Sequence, residues 1–425
     1  MGKYTILEDP RVDEYIDRYL ERIVKVLLEN IPGIRSIILA GSFGKGEGSV
    51  LVDSQRVKPL RDFDLCIIFS KKVPPRDFIK NIQKKLQDRF CSIKDNDYHL
   101  MGDLIPEISA TTLENINSLP DISTYDLKKC KVIYGDDVRS KIKWDLKDLP
   151  LRTNARALFQ KAIALIGAFH SKYLNGDIPP HLRDSFLRET SRAYIEICVG
   201  LCLLANRYNS SCIQRLEVVR EIYRKEFPEL YERVPDLLNK IETSTKYKLD
   251  PSNNRMNVDL LNYWFKTRDD LGEVMKYYFS RYLNILFENW MQFATSLERN
   301  LTKEYYLPVI RAFSKNKGLP TNRFVLNLFN LLFNAKVNME YSKLAIKNTH
   351  LSLPLLCGVS SPSIKVFSTA PLILFSINRD GSINSKYIDI ALKKLRFVKQ
   401  KKKHENVWEE ARSKFLKVVF SVSMI

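Results

Sequence analysis

The feature that most constrains this chain is an apolar run that stops dead at a glycine, "IILAGSFGKGEGSV" at residues 37–50. It is followed by "RDFDLCIIF" at 61–69, where two carboxylates one residue apart open a second apolar run. Both runs read as strands, and the second is apolar enough to be buried on both faces. In a strand, side chains two residues apart point the same way, so Asp62 and Asp64 share a face. Like charges that close repel, and each carboxyl is pushed up unless something positive sits between them. A divalent cation does this, and Mg²⁺ takes a few carboxylates together with waters and substrate phosphates.

Gly41-Ser42 supplies the complementary half. A glycine directly after a strand lets backbone N–H groups come close to a phosphate, and a serine hydroxyl adds a donor. Gly44, Gly46 and Gly48 are expected to keep the following loop open, and Lys45 lies close enough in sequence to neutralise a triphosphate oxygen. The loop has no G-x-x-x-x-G-K-[ST] pattern, and its singly alternating glycines do not make a dinucleotide fingerprint.

The surrounding chain reads as α-β-loop-β-α-β-α. Residues 11–30 repeat apolar positions at three and four and predict an amphipathic helix, ended by "IPG". Residues 34–40 and 63–69 predict strands, 74–90 a helix opened by prolines, and "LIPEISATT" (104–112) a third strand before a short helix "LENIN". "DISTYDLKKCKVIYGDD" (121–137) predicts a helix and then a strand closed by Gly135. Past Pro150 the texture becomes helical. The last third is expected to hold a helix near 322–347, an extended or irregular stretch at 362–382, and two helices around the lysine run at 395–404.

In their order, helix, strand, "GS", loop and h-D-h-D-h, these residues resemble the nucleotidyltransferase superfamily with its polymerase-β-like fold. The resemblance is confined to about residues 34–137. It implies a mixed-sheet nucleotidyltransferase domain over 1–148; with the helical texture and the charge of the rest, an α+β chain is expected, with an α-helical domain over 149–300 and a basic, mainly helical region over 301–425. It also implies roles: Gly41, Ser42 and Lys45 at the nucleotide phosphates, and Asp62 and Asp64 on Mg²⁺ or Mn²⁺. A third carboxylate from a neighbouring strand would complete the metal site. Glu107, inside the strand-like run, is the choice ahead of Asp103 and then Asp97. The gap from Ser42 to Asp62 exceeds the usual dozen residues, and "EGSVLVDSQRVKPL" is an insertion whose flanks suit a small hairpin.

The implied activity is transfer of a nucleoside monophosphate from an NTP, such as ATP, to an acceptor hydroxyl, with release of pyrophosphate. Charge bears on the acceptor. Residues 1–150 hold 25 Lys/Arg against 24 Asp/Glu, 151–300 hold 22 against 18, and 301–425 hold 21 against 7. Most of the net +19 therefore lies in the last third, a field that attracts RNA, anionic lipid or polyphosphate. Against RNA, no aromatic RNA-recognition signature is present, and the strand ending in "YG" looks closer to branches that modify small molecules or proteins. A small-molecule or protein acceptor is favoured by a modest margin. An RNA- or tRNA-directed enzyme and a non-catalytic RNA-binding scaffold are the alternatives.

Seven scattered cysteines with no CxxC pair fit a reducing compartment, and Cys198 with Cys202 reads as a buried helix seam. The opening residues are acidic and amphipathic, without the apolar core of a signal peptide. The longest apolar stretch, 194–205, is too short to span a bilayer and carries Glu196. A cytoplasmic location and no transmembrane segment are expected.

Overall fold

A computed structural model describes residues 2–53, 57–90, 106–304, 306–347, 360–395 and 407–423. The fold is α+β, mainly helical with a small mixed sheet. It divides into two compact units. One holds 1–153 with 201–231 and 236–257, and the other holds 154–200, 232–235 and 258–425.

The first unit begins with α1 (Pro10–Asn30). The Asp9 side chain accepts from the Arg11 N–H at its start, Pro10 sits in its first turn, and Val12, Ile16, Leu20, Ile23 and Leu27 form its buried stripe. Then come β1 (Ile34–Leu39), the single turn α2 (Gly41–Gly44), β2 (Val50–Val52), β3 (Val57–Pro59) and β4 (Asp64–Phe69). They are followed by α3 (Arg76–Phe90), β5 (Glu107–Thr112), α4 (Leu113–Ile116), α5 (Ile122–Asp126) and β6 (Lys131–Gly135). The sheet order is β5-β4-β1-β6, with β4 and β5 parallel and β1 antiparallel to both β4 and β6.

Both faces of the central strands are covered, as the unbroken apolar runs require. Ile37, Leu39, Leu65, Ile67 and Phe69 join the stripe of α1 and Ile79, Ile82 and Leu86 of α3 in one core. Ile38, Cys66 and Ile68 pack on the opposite face with Ile116, Leu127, Cys130 and Val138. Inside the insertion, β2 and β3 pair antiparallel, Val50 opposite Pro59 and Val52 opposite Val57, so its flanks do form a hairpin.

The helical part runs through α6 (Arg152–Ala168), α7 (Pro180–Leu204), α8 (Cys212–Glu226), α9 (Pro228–Arg233), α10 (Leu237–Leu249) and α11 (Leu260–Leu283). It continues as α12 (Trp290–Glu304), α13 (Leu307–Asn316), α14 (Arg323–Lys347), α15 (Pro362–Leu374), α16 (Ser385–Lys394) and α17 (Val407–Ser423). The core of the second unit is aromatic: Phe169 stacks on Trp264 at 4.2 Å, and Phe159 lies 5.0 Å from Phe367.

One sequence expectation is overturned here. Residues 362–374, expected to be extended or irregular, form α15, which starts at the Ser361 cap with Pro362 in its first turn. Every residue from Ile364 to Leu374 is buried, the polar Lys365, Ser368 and Thr369 with the rest, so no solvent-facing stripe marks the helix in the sequence. Cys66, Cys130, Cys198, Cys202 and Cys212 are all buried free thiols. No described helix is long and apolar enough to cross a membrane.

Candidate functional site

β1 delivers the chain to the head of β4. The Ala40 N–H donates to the Asp64 carbonyl at 2.7 Å, so the Gly-Ser turn begins where the acidic strand begins. Gly41 adopts φ +62°, and a Cβ there would sit 1.9 Å from Asp64 Oδ2. Only glycine meets both demands. Phe63 is fully buried in the α1-side core, 4.5 Å from Phe43 and 5.0 Å from Tyr19 between ring centroids. Because Phe63 is pinned to that side together with Leu65 and Ile67, strand alternation turns Asp64 to the other.

Glu107 arrives on the neighbouring strand. In the parallel register of β4 and β5 it is the partner of Asp64, and its N–H donates to the Phe63 carbonyl at 3.0 Å. The structure thus brings Asp64 and Glu107 side by side, with Asp62 two residues upstream at an exposed position. Asp64 registers the crowding. Burial first, then the charges of Glu107 and Asp62, push its carboxyl up to about 6, against the smaller pull of Lys45 and Arg61. Asp103 and Asp97 lie outside the described residues, as does nearly all of the lysine run.

Gly41 and Ser42 stand at this edge, but Lys45 does not reach for an open space. Its Nζ pairs with the Asp126 carboxylate at 2.9 Å. Asp126 also accepts from the Tyr208 hydroxyl at 2.9 Å and the Ser210 hydroxyl at 2.7 Å. Burial works against the charge of Lys45, yet Asp126 outweighs it and the ammonium is raised. The next acid, Glu47, is buried and accepts from Ser211 Oγ at 2.6 Å and the Cys212 N–H at 2.8 Å. Burial alone would raise Glu47, but those hydrogen bonds, with Lys248 and Arg215, hold it below the usual carboxylate range.

The later glycines differ from expectation too. Gly44, Gly46 and Gly48 are buried, and a Cβ on Gly44 or Gly48 would collide with the Leu39 carbonyl or the Phe43 ring. They allow close packing of the loop rather than openness. In the sequence Asp126 stands out only as the acid of "YDL", and Glu47 only as part of the insertion. Nothing local in the sequence signals a partner 164 residues away, as Ser211 is for Glu47.

The donor set of Asp62, Asp64 and Glu107 is hard oxygen, which suits Mg²⁺ or Mn²⁺. Among the described residues no group of three His, Cys, Asp or Glu side chains is gathered closely enough to hold a metal ion by itself. What the edge offers is a carboxylate pair plus one more acid beside a glycine with no side chain. That partial set fits a cation that keeps waters and completes its shell with substrate phosphate. Compared with known protein families, curated proteins and solved structures, the chain matches none.

Proposed function

We propose that this edge of the first unit binds a nucleoside triphosphate and transfers its nucleoside monophosphate to an acceptor hydroxyl, releasing pyrophosphate. The observation that carries the reading is the pressing of Gly41 onto Asp64 while Glu107 lies in register beside it. Gly41 and Ser42 would take the phosphates, where the missing side chain leaves the backbone open to an anion. Asp62, Asp64 and Glu107 would hold the divalent cation, which when bound supplies charge neutralisation for the attacking and leaving oxygens. Glu107 is exposed, and as the third carboxylate it would lie nearest the acceptor and take the proton of its hydroxyl. Lys45 has a different part here from the one its sequence position suggests: paired to Asp126, it positions the loop and biases Asp64 toward ionisation. A chemistry of positioning and electrostatics needs no nucleophilic side chain.

A small molecule or a protein is the proposed acceptor, and the basic last third keeps RNA as the second choice. The lack of a ready-made metal group among the described residues, with Lys45 already engaged, favours a second reading, a non-catalytic scaffold. Incubation with each NTP labelled at the α-phosphate, with Mg²⁺ or Mn²⁺ and with or without RNA, decides between them. The expected result is label moved to an acceptor and lost in an Asp62→Ala/Asp64→Ala variant. No transfer together with no metal-dependent NTP binding would leave the scaffold.

A further inference from the structure

In the second unit, α14 is apolar on its outward face as well as on its inward one, where Phe333 lies 4.9 Å from Tyr306 between ring centroids. Its inward face carries Leu326 but also Asn330 and Asn334, both buried, the latter only 1 % exposed. The Asn330 amide donates to the Thr302 carbonyl at 2.9 Å, and the Asn334 amide to the Asn330 carbonyl at 2.9 Å. Its outward face carries Phe324, Leu328, Leu331, Leu332 and Met339, with Phe324 78 % and Leu332 55 % exposed. Spacings of three, four and seven place these on one stripe, about 22 Å long at the helical rise per residue. Val309, Phe313 and Leu319, on or just beyond α13, are exposed as well. Eight of the eighteen exposed large hydrophobics among the described residues thus fall within 309–339. Scattered apolar residues need no explanation, but a contiguous stripe does.

Charge says what covers it. Residues 306–339 contain five basic side chains, Arg311, Lys315, Lys317, Arg323 and Lys336, all exposed, and no acidic one. A second copy would bring five like charges against five. A nucleic acid would meet the charges but offer nothing to Leu328, Leu331, Leu332 and Met339, which do not stack on bases. A bilayer with anionic headgroups offers both an apolar layer and a negative surface. We propose that the outward face of α14, with the adjoining end of α13, docks on an anionic lipid surface. The helix lies in the interface with its apolar stripe inserted and its basic side chains at the headgroups.

Flotation of the full chain with vesicles of pure phosphatidylglycerol, beside vesicles of pure phosphatidylcholine, tests this. The expected result is binding to the anionic vesicles alone. Leu331→Ser/Leu332→Ser, which leaves the charge unchanged, should lower partitioning at least about tenfold, with an unchanged circular dichroism spectrum because both side chains are about half exposed already. Phe324→Glu provides a second disruption at the other end of the stripe. Lack of binding to phosphatidylglycerol overturns the proposal, and so does equal binding by the leucine variant, which would mean charge alone. A lipid-free dimer that the leucine variant dissociates also overturns it in favour of a second copy. So does tight capture of an acidic helical peptide with vesicle binding absent, in favour of a protein partner.

Discussion

Two acidic neighbourhoods flank the same loop, residues 41–50, and are treated in opposite ways. At one, Glu47 and Asp126 are enclosed by partners: Ser211, the Cys212 N–H, Lys45, Tyr208 and Ser210. At the other, Asp64 meets Glu107 and Asp62, and its carboxyl is pushed up to about 6. The difference separates carboxylates that hold a fold together from carboxylates that the fold leaves uncompensated. Folding energy favours pairing every buried charge, so acids left in mutual repulsion beside an open backbone turn are where the proposed cation would sit.

Asp64→Asn should move activity and stability in opposite directions. On the proposed reaction, transfer should fall on the order of a thousandfold, since the variant would lose a carboxylate that holds the cation. Stability without metal should rise by about 1–2 kcal/mol at pH 8, after discounting for solvent screening. The sign follows from linkage. The Asp64 value in the folded chain, about 6, lies above the ordinary 3.8, so the folded chain holds more proton between those values. Wild-type stability therefore gains nothing from Asp64 below both values, declines as pH rises from about 4 to about 6, and stays reduced above that. The variant lacks that decline. Thermal melts across this range check it, and a variant less stable than wild type at pH 8 would place Asp64 with the compensated acids.

Glu47→Gln should do the reverse. Removing this charge strips partners from the start of α8 and leaves Lys248 and Arg215 facing a neutral amide, at a cost of about 2–4 kcal/mol. Glu47 is depressed below its ordinary value, so its contribution is present above about pH 4.5 and is lost as pH falls through the folded value. Denaturant titrations at neutral pH and near pH 3 should show the gap between wild type and variant closing in acid. A gap independent of pH would mean that shape, not charge, matters at Glu47.

How far the sequence discloses this contrast depends on the range of the forces involved. α1, β1, β4, α3, β5 and β6 follow from patterns within one element: the three-four spacing of α1, and the unbroken apolar runs of β1 and β4. Asp62 and Asp64 can be singled out because strand alternation is local, whereas Glu107 is reached only through the family resemblance, since its register with Asp64 joins strands 43 residues apart. The engagement of Lys45 by Asp126 cannot, since it depends on a contact 81 residues distant. α15 is hidden by burial on all sides, which erases the periodicity that a half-buried helix writes into its sequence. Which apolar face of α14 is left outward is legible only once its neighbours are known, because carbonyls of α12 take up the Asn330 amide on the inward side.

The finest probe of the uncompensated side compares two glycines that share a backbone conformation but not surroundings. Gly33 has φ +78° with nothing within 4 Å of where a Cβ would stand, whereas at Gly41, with φ +62°, a Cβ would meet Asp64 Oδ2 at 1.9 Å. Gly33→Ala should cost about 1 kcal/mol, the strain of a left-handed alanine, and leave transfer intact. Gly41→Ala carries the same strain and must also displace either the turn or the Asp64 carboxylate, so transfer should fall at least about tenfold. Placing Gly41→Ala in an Asp64→Ala background isolates the collision. With the carboxylate gone, the stability cost at Gly41 should shrink to that at Gly33 in denaturant titrations. If it does not shrink, the strain resides in the turn itself, and Asp64 is held in place by something other than its fit against Gly41.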